Sequence, residues 1–431
     1  MDYQFQFEPS EEFAHKLDSE DPLSQFRKRF YIPEGTVYMD GNSLGLLSED
    51  AEKSLLRVLN EWKTLGIGGW LEAELPWFYH AEHLGALAAP LVGAEPEEVV
   101  ATGTTTVNIH SLVSTFYQPE GRKTKILADE LNFPTDIYAL QSQIELKGLP
   151  PKDHLILASS KDGRFLDEEK IIELMDDDVA LVMLPSVLYR SGQLLDIPYL
   201  VEKAHKKDII IGFDCSHSVG VVPHHFDRWD VDFAMWCSYK YMNGGPGSAA
   251  FLYVNKNHFS KPPALTGWFG YAKEKQFDLL LDFEHARGAG GWQISSPGIL
   301  SAAPMEGALQ ITREAGIENI RKKSLHMTSY LMYLVDTLLS GNPYNFVIGT
   351  PREPHRRGGH VAVEHAEGSR ISEALRVKGI ISDFRPPNVI RIAPVPLYNT
   401  YYEIWQVVSY MREIIDKREY ENLPEERKII T

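Results

Sequence analysis

The chain has almost no cysteine. Two occur in 431 residues, Cys215 and Cys237, both beside apolar runs near the middle of the chain. Two thiols so placed exclude a disulfide framework and suit a reducing cytoplasm. Positive charge is also scarce: 43 Lys and Arg stand against 60 Asp and Glu, a formal net charge of −17. A nucleic-acid or anionic-membrane partner needs a basic face, so neither is expected. No apolar run reaches the roughly 18 residues of a membrane span. The opening residues, MDYQFQFEPSEEF, are acidic and lack the basic start and apolar core of a secretion signal. Tandem repeats and low-complexity segments are missing too. What remains is the composition of a cytoplasmic globular protein, long enough for a large core in two domains or more.

From residue 99 the chain alternates between two patterns. Short apolar runs predict strands at 99–102, 125–128, 154–158, 179–184, 209–213, 233–237 and 249–254. Helical spacing predicts helices at 107–117, 135–147, 167–175 and 197–207. Such alternation builds an α/β domain around a mostly parallel seven-stranded sheet covered on both faces. After Gly298 the pattern changes. Long helices at 301–314 and 317–339 precede strand-like stretches at 344–349, 359–363 and 389–393, a helix at 369–378 and a last one at 400–417. The expectation is a large domain over 61–300 and a smaller α+β domain over 301–431. Residues 1–60 would pack with the smaller domain, through a helix at 11–28, a short strand at 37–39 and a helix at 49–63. The Gly- and Trp-rich stretch 66–78 reads either as the wall of an aromatic pocket or as a subunit contact.

In an open α/β sheet, ligands sit beyond the carboxyl ends of the strands. The run Ile209 to Phe213 ends on Asp214, and the run Val231 to Cys237 ends on Ser238-Tyr239-Lys240 and a glycine-rich turn. An acid and an amine therefore reach one rim. An amine nucleophile, a carboxylate for a pyridinium nitrogen and a phosphate cup together make a pyridoxal phosphate (PLP) site. Lys240 reads as the Schiff-base lysine and Asp214 as the partner of the ring nitrogen. Each alone has a plainer reading, a solvated lysine and a turn-forming Asp.

Other groups fall at matching strand ends. Gly103-Thr104-Thr105-Thr106 opens a helix, where backbone N–H groups and the helix dipole favour an anion. Phe133 could stack on a flat ring and Asp136 hydrogen-bond to it, although Pro134 also marks an ordinary helix start. His217 could pack above a ring or tune Asp214. Arg391, alone in an apolar strand, needs an anionic partner: a substrate α-carboxylate or a structural salt bridge. His80, His83, His224 and His225 lack the further ligands of a metal site, so no metal is expected.

These residues sit in longer motifs. They include Gly41-Asn42-Ser43-Leu44-Gly45-Leu46, Thr106-Val107-Asn108, Phe133-Pro134-Thr135-Asp136, Phe213-Asp214 with His217, and Trp236-Cys237-Ser238-Tyr239-Lys240-Tyr241. Gly267-Trp268-Phe269-Gly270 and Arg391 through Pro394-Val395-Pro396-Leu397-Tyr398-Asn399 complete the set. Over almost its whole length the chain resembles the kynureninase family of fold-type I, class V PLP enzymes. The resemblance implies a homodimer with active sites at the subunit interface. It also implies hydrolysis of L-kynurenine, and often 3-hydroxy-L-kynurenine, to the anthranilate and L-alanine in tryptophan degradation. Carried over, it makes Lys240 and Tyr239 catalytic. Thr105, Thr106 and Tyr239 become phosphate ligands, Phe133 the stacking ring, and Asp136, Asp214 and His217 cofactor neighbours. Trp268 becomes a cofactor-pocket residue given by the other subunit. Ser296 stands where relatives carry Asn or Thr, Arg391 matches the carboxylate clamp, and Ser43 lies near the substrate. Three other readings stand beside this one. A cysteine desulfurase would need a cysteine after Lys240, an aminotransferase a second substrate, and a PLP-binding regulator a basic patch.

Overall fold

The apolar runs pair as their continuity demands. In the computed structural model, which describes residues 6–424, seven strands form one sheet. Across the sheet the order is Val99–Ala101, Phe251–Val254, Phe233–Trp236, Ile210–Asp214, Val179–Pro185, Lys125–Asp129 and Leu155–Ala158. The last five are mutually parallel. Phe251–Val254 runs antiparallel to both its neighbours. Val99–Ala101 therefore points the same way as the parallel set.

Side chains alternate between two cores, as a two-residue period requires. Leu127, Val182, Leu184, Ile211, Phe213 and Trp236 fill one face. Ile126, Leu181, Met183, Phe233 and Met235 fill the other. Helices cover both faces, so the strands need no polar side. All the parallel strands end on one rim, and the first residues past that rim are free to carry chemistry.

A second, antiparallel sheet has the order Asp383–Arg385, Val389–Ile392, Val361–Glu364 and Val347–Ile348. The helices Ile317–Leu338, Gly368–Val377 and Tyr401–Asp416 share its core through Leu331, Val335, Leu375, Ile404 and Val408 with Val363, Ile390 and Ile392. The N-terminal segment is tied to these elements. The Asp18 carboxylate accepts from the Tyr401 and Tyr402 backbone N–H groups at 2.6 and 3.0 Å, which satisfies two orphan donors of that helix. Lys323 pairs with Asp21 at 2.7 Å, both buried, and Arg27 with Glu403 at 2.7 Å.

Three local expectations change. The helix read over 11–28 stops at Ser19 and resumes as a 3-10 turn, Ser24–Arg29. Pro22 removes a helical donor and pushes Asp21 out of helical backbone. The helix read over 301–314 is two, Ile299–Ala302 and Pro304–Ala315, with the proline opening the second. Two strands were not anticipated: Ile380–Ile381, parallel to Val37–Tyr38, and Asp383–Arg385. Among the described residues no helix is long and apolar enough to cross a membrane.

Candidate active site

The strand Phe233–Trp236 delivers Lys240 over the rim. The loop that carries it is braced by the turn after Asp40. Gly45 N–H donates to the Tyr239 carbonyl at 2.7 Å, and a Cβ on Gly45 would collide with the Lys240 carbonyl oxygen. Lys240 Nζ lies 2.9 Å from His217 Nε2. Burial, and then the charge of Lys240, holds the His217 ring well below its ordinary range. The ring is thus neutral and accepts from the amine. Tyr239 lies on the same loop, and burial pushes its phenol up, so it stays protonated.

Asp214 ends the neighbouring strand, its Oδ1 accepting from Ser216 N–H at 2.7 Å. Behind it lies Asp136, on the first turn of the helix Pro134–Leu146. Asp136 is 0% exposed, and among the described residues neither of its carboxyl oxygens finds a hydrogen-bond donor. Burial, then the charge of Asp214, raises it well above the carboxylate range. Thr105 and Thr106 open the helix Thr105–Phe116, and Thr106 Oγ1 lies 3.0 Å from Thr135 Oγ1. Phe133 packs edge-on against Tyr189 with ring centroids 5.3 Å apart, and its ring stays 45% exposed.

Ser43, Thr105, Thr106, Phe133, Asp214, His217, Tyr239, Lys240 and Arg391 all line one cavity of about 310 Å³. This donor set suits PLP. Asp214 presents a carboxylate to the cavity, where a cationic ring N–H would meet it. A helix N-terminus with two hydroxyls suits a phosphate, and an amine stands within the same walls. Cys215 and Cys237 are free and buried, and neither lines the cavity. Burial pushes both thiols up, Cys215 to about 12.

Arg391 forms the structural salt bridge of its two readings and also lines the cavity. It is 1% exposed and ion-paired with Asp383: Nε donates to Oδ1 at 2.6 Å and Nη2 to Oδ2. Nη1 donates to the Tyr189 carbonyl at 2.7 Å and Nη2 to Ser43 Oγ at 3.1 Å. Ser43 in turn donates to Asp383 Oδ2 at 3.0 Å. Burial pushes Asp383 up, but Arg391 outweighs it and holds the carboxyl below its ordinary range. The arginine thus lines the cavity and carries a structural salt bridge. Asp383, Arg385, Tyr189 and Ser216 were missed in the sequence. The one available signal was the charged pair around Phe384, of which Asp383 neutralises Arg391.

Trp268 and Ser296 are not brought to Lys240 within one chain. They line a second cavity, of about 540 Å³, with Ile67, Trp70, Leu71, Phe78, Phe269 and Phe277. The stretch 66–78 folds into short helical turns on its wall. Trp70 packs edge-on against Trp77, and Trp77 Nε1 donates to Glu61 Oε2 at 3.3 Å.

Known proteins share this framework. The family model for the kynureninase C-terminal domain matches residues 320–411. The kynureninase of Geobacillus thermodenitrificans is 57% identical over 423 residues, covering 98% of each chain. Among solved structures, the apo cysteine desulfurase of Thermococcus onnurineus superposes with a TM-score of 0.78 at 17% identity, over 92% of this chain and 98% of that one. A C-DES variant with glycine covalently linked to its PLP cofactor gives 0.77 at 17% identity, over 90% of this chain and 99% of that one. At such identities the likeness shows the fold alone, a PLP-dependent class V fold.

Proposed function

The chain belongs to the kynureninase family, and from that premise we propose that it hydrolyses the Cβ–Cγ bond of L-kynurenine, and of its 3-hydroxy form, to the anthranilate and L-alanine. It is a PLP-dependent hydrolase. The observation that carries the reading is the meeting of Lys240, Asp214, the Thr105–Thr106 helix start and Arg391 on one cavity. Lys240 would hold the cofactor's aldehyde carbon. Thr105, Thr106 and Tyr239 would hold its phosphate, Asp214 its ring nitrogen, and Phe133 one ring face. Bound there, PLP supplies an electron sink for charge developing at the substrate α-carbon.

The chain's own groups do the rest. Arg391 and Ser43 orient the substrate α-carboxylate. The Lys240 amine, once displaced by the substrate's own, moves the α-proton at Nζ, and neutral His217 at 2.9 Å holds that amine in place. Water adds its oxygen to the substrate's γ-carbonyl carbon, which leaves as the anthranilate carboxyl when the Cβ–Cγ bond breaks. The Tyr239 phenol, kept protonated by burial, gives its proton to Cβ of the alanine fragment. The test is anthranilate fluorescence with both substrates in parallel. Alanine is expected in equal amount without added keto acid. A need for keto acid would overturn hydrolysis in favour of amino transfer.

The second cavity supports a homodimer in which the partner subunit's Trp268 and Ser296 complete each site. Ile67, Leu71, Phe277 and Leu281 leave a large apolar face in water, as subunit contacts do. Mixing and reassociating Lys240→Ala and Trp268→Ala proteins should restore about a quarter of wild-type activity, since half the dimers are mixed and each holds one intact site. No recovery in verified mixed dimers would remove Trp268 from the partner's site. Two free buried thiols support a reducing cytoplasm as its compartment.

A further inference from the structure

We propose that Arg385 is the second ligand of the substrate α-carboxylate, and that it supplies the charge which Arg391 has already spent on Asp383. This deepens the reading above and rests on an α-amino acid occupying the cavity. The argument starts from a donor ledger. A guanidinium has five N–H bonds. Arg391 commits Nε and Nη2 to Asp383, Nη2 again to Ser43, and Nη1 to the Tyr189 carbonyl. One donor remains. Arg385, from the strand Asp383–Arg385, lines the same cavity. Among the described residues its side chain makes one hydrogen bond, Nη2 to Asp383 Oδ2 at 2.7 Å, and its Nε is buried without a partner.

Charge points the same way. Arg391 and Asp383 cancel. Asp40, buried beside them, is pushed up to about 7 by burial and then by the charge of Asp383, so it adds only part of a negative charge. Without Arg385, a substrate carboxylate would enter a buried cluster that is neutral or negative, which costs heavily. With it, the cluster keeps a net positive charge, one unit less the part that Asp40 offsets, to meet one carboxylate. Access agrees too. The Arg385 side chain is 30% exposed, whereas that of Arg391 is 1% exposed. Asp383 grips both guanidiniums and so holds them side by side on the cavity wall.

The test uses PLP-loaded Arg385→Gln and Arg385→Lys proteins. Charge-assisted hydrogen bonds of this kind correspond to about 10- to 100-fold in affinity. In Arg385→Gln the KM for L-kynurenine and the Kd for L-alanine, read by absorbance titration of the cofactor, should both rise by about that factor. The kcat should change less than about threefold, because the reacting bonds lie elsewhere. Inhibition by decarboxylated kynurenine, which has no carboxylate to lose, should be unchanged. Arg385→Lys should lie between, and it is the variant read if the glutamine protein does not fold. Unchanged KM and Kd, or equal weakening of the decarboxylated analogue, would overturn the assignment. Failure of the wild type to release anthranilate would sink the kynurenine reading instead, and L-alanine binding would still report on Arg385.

Discussion

Lys240→Ala is expected to lower kcat by at least about 10³-fold and to abolish the borohydride-reducible link between protein and cofactor. No other lysine lines the cavity among the described residues. The nearest nitrogen, His217 Nε2, belongs to a ring that burial and the Lys240 charge keep neutral. It can hold an amine but cannot replace one as the link or as the carrier of the α-proton. The loop itself is fixed by backbone N–H groups of Gly45 and Asn243, which donate to the Tyr239 and Lys240 carbonyls, so the substitution empties the position without moving its walls. A small added amine should then restore a fraction of turnover. A Lys240→Ala protein that keeps full turnover would remove the basis of the mechanism.

Asp383→Ala should be the costliest change outside the reacting groups. It leaves two guanidiniums facing one another, Arg391 fully buried among them. Removing one partner of a buried ion pair costs about 3–5 kcal/mol, because the other charge stays in low dielectric. Chemical denaturation should show that loss, and the KM for L-kynurenine should rise as Arg391 loses its orientation. Asp383→Asn keeps one acceptor oxygen and should cost less. An unchanged denaturation curve for the alanine protein would mean that Ser43 and Tyr189 hold Arg391 by themselves.

Much of this was legible in the residues. The seven strands of the large sheet are continuous apolar runs, and their burial on both faces is what makes such runs readable. Asp214 and Lys240 stood out because each is a charge at the end of such a run. Arg391 stood out as a charge inside one. Its partner did not. Asp383 lies in a three-residue strand that ends at Pro386-Pro387, too short to show a period. The helix break at Pro22 was readable but was overridden by the surrounding helical spacing. The separation of Trp268 and Ser296 from Lys240 is a matter of tertiary packing, to which local pattern gives no access. Asp136 was read as a ring neighbour, but the absence of any partner for its carboxyl emerges only in three dimensions.

The reversed strand Phe251–Val254 has a mechanical consequence. It sends the chain back from the rim immediately after the Lys240 loop, and its far neighbour Val99–Ala101 returns to that rim carrying Thr105. Thr102 N–H and Ala250 N–H then stitch the two loops together, at 2.8 and 3.1 Å. The amine and the anion cup are therefore bolted to one chassis. Arg391 and Arg385 ride on another, the antiparallel sheet. The fixture that clasps the ring and the fingers that clasp the amino acid are separate machine parts, riveted where Arg391 donates to the Tyr189 carbonyl.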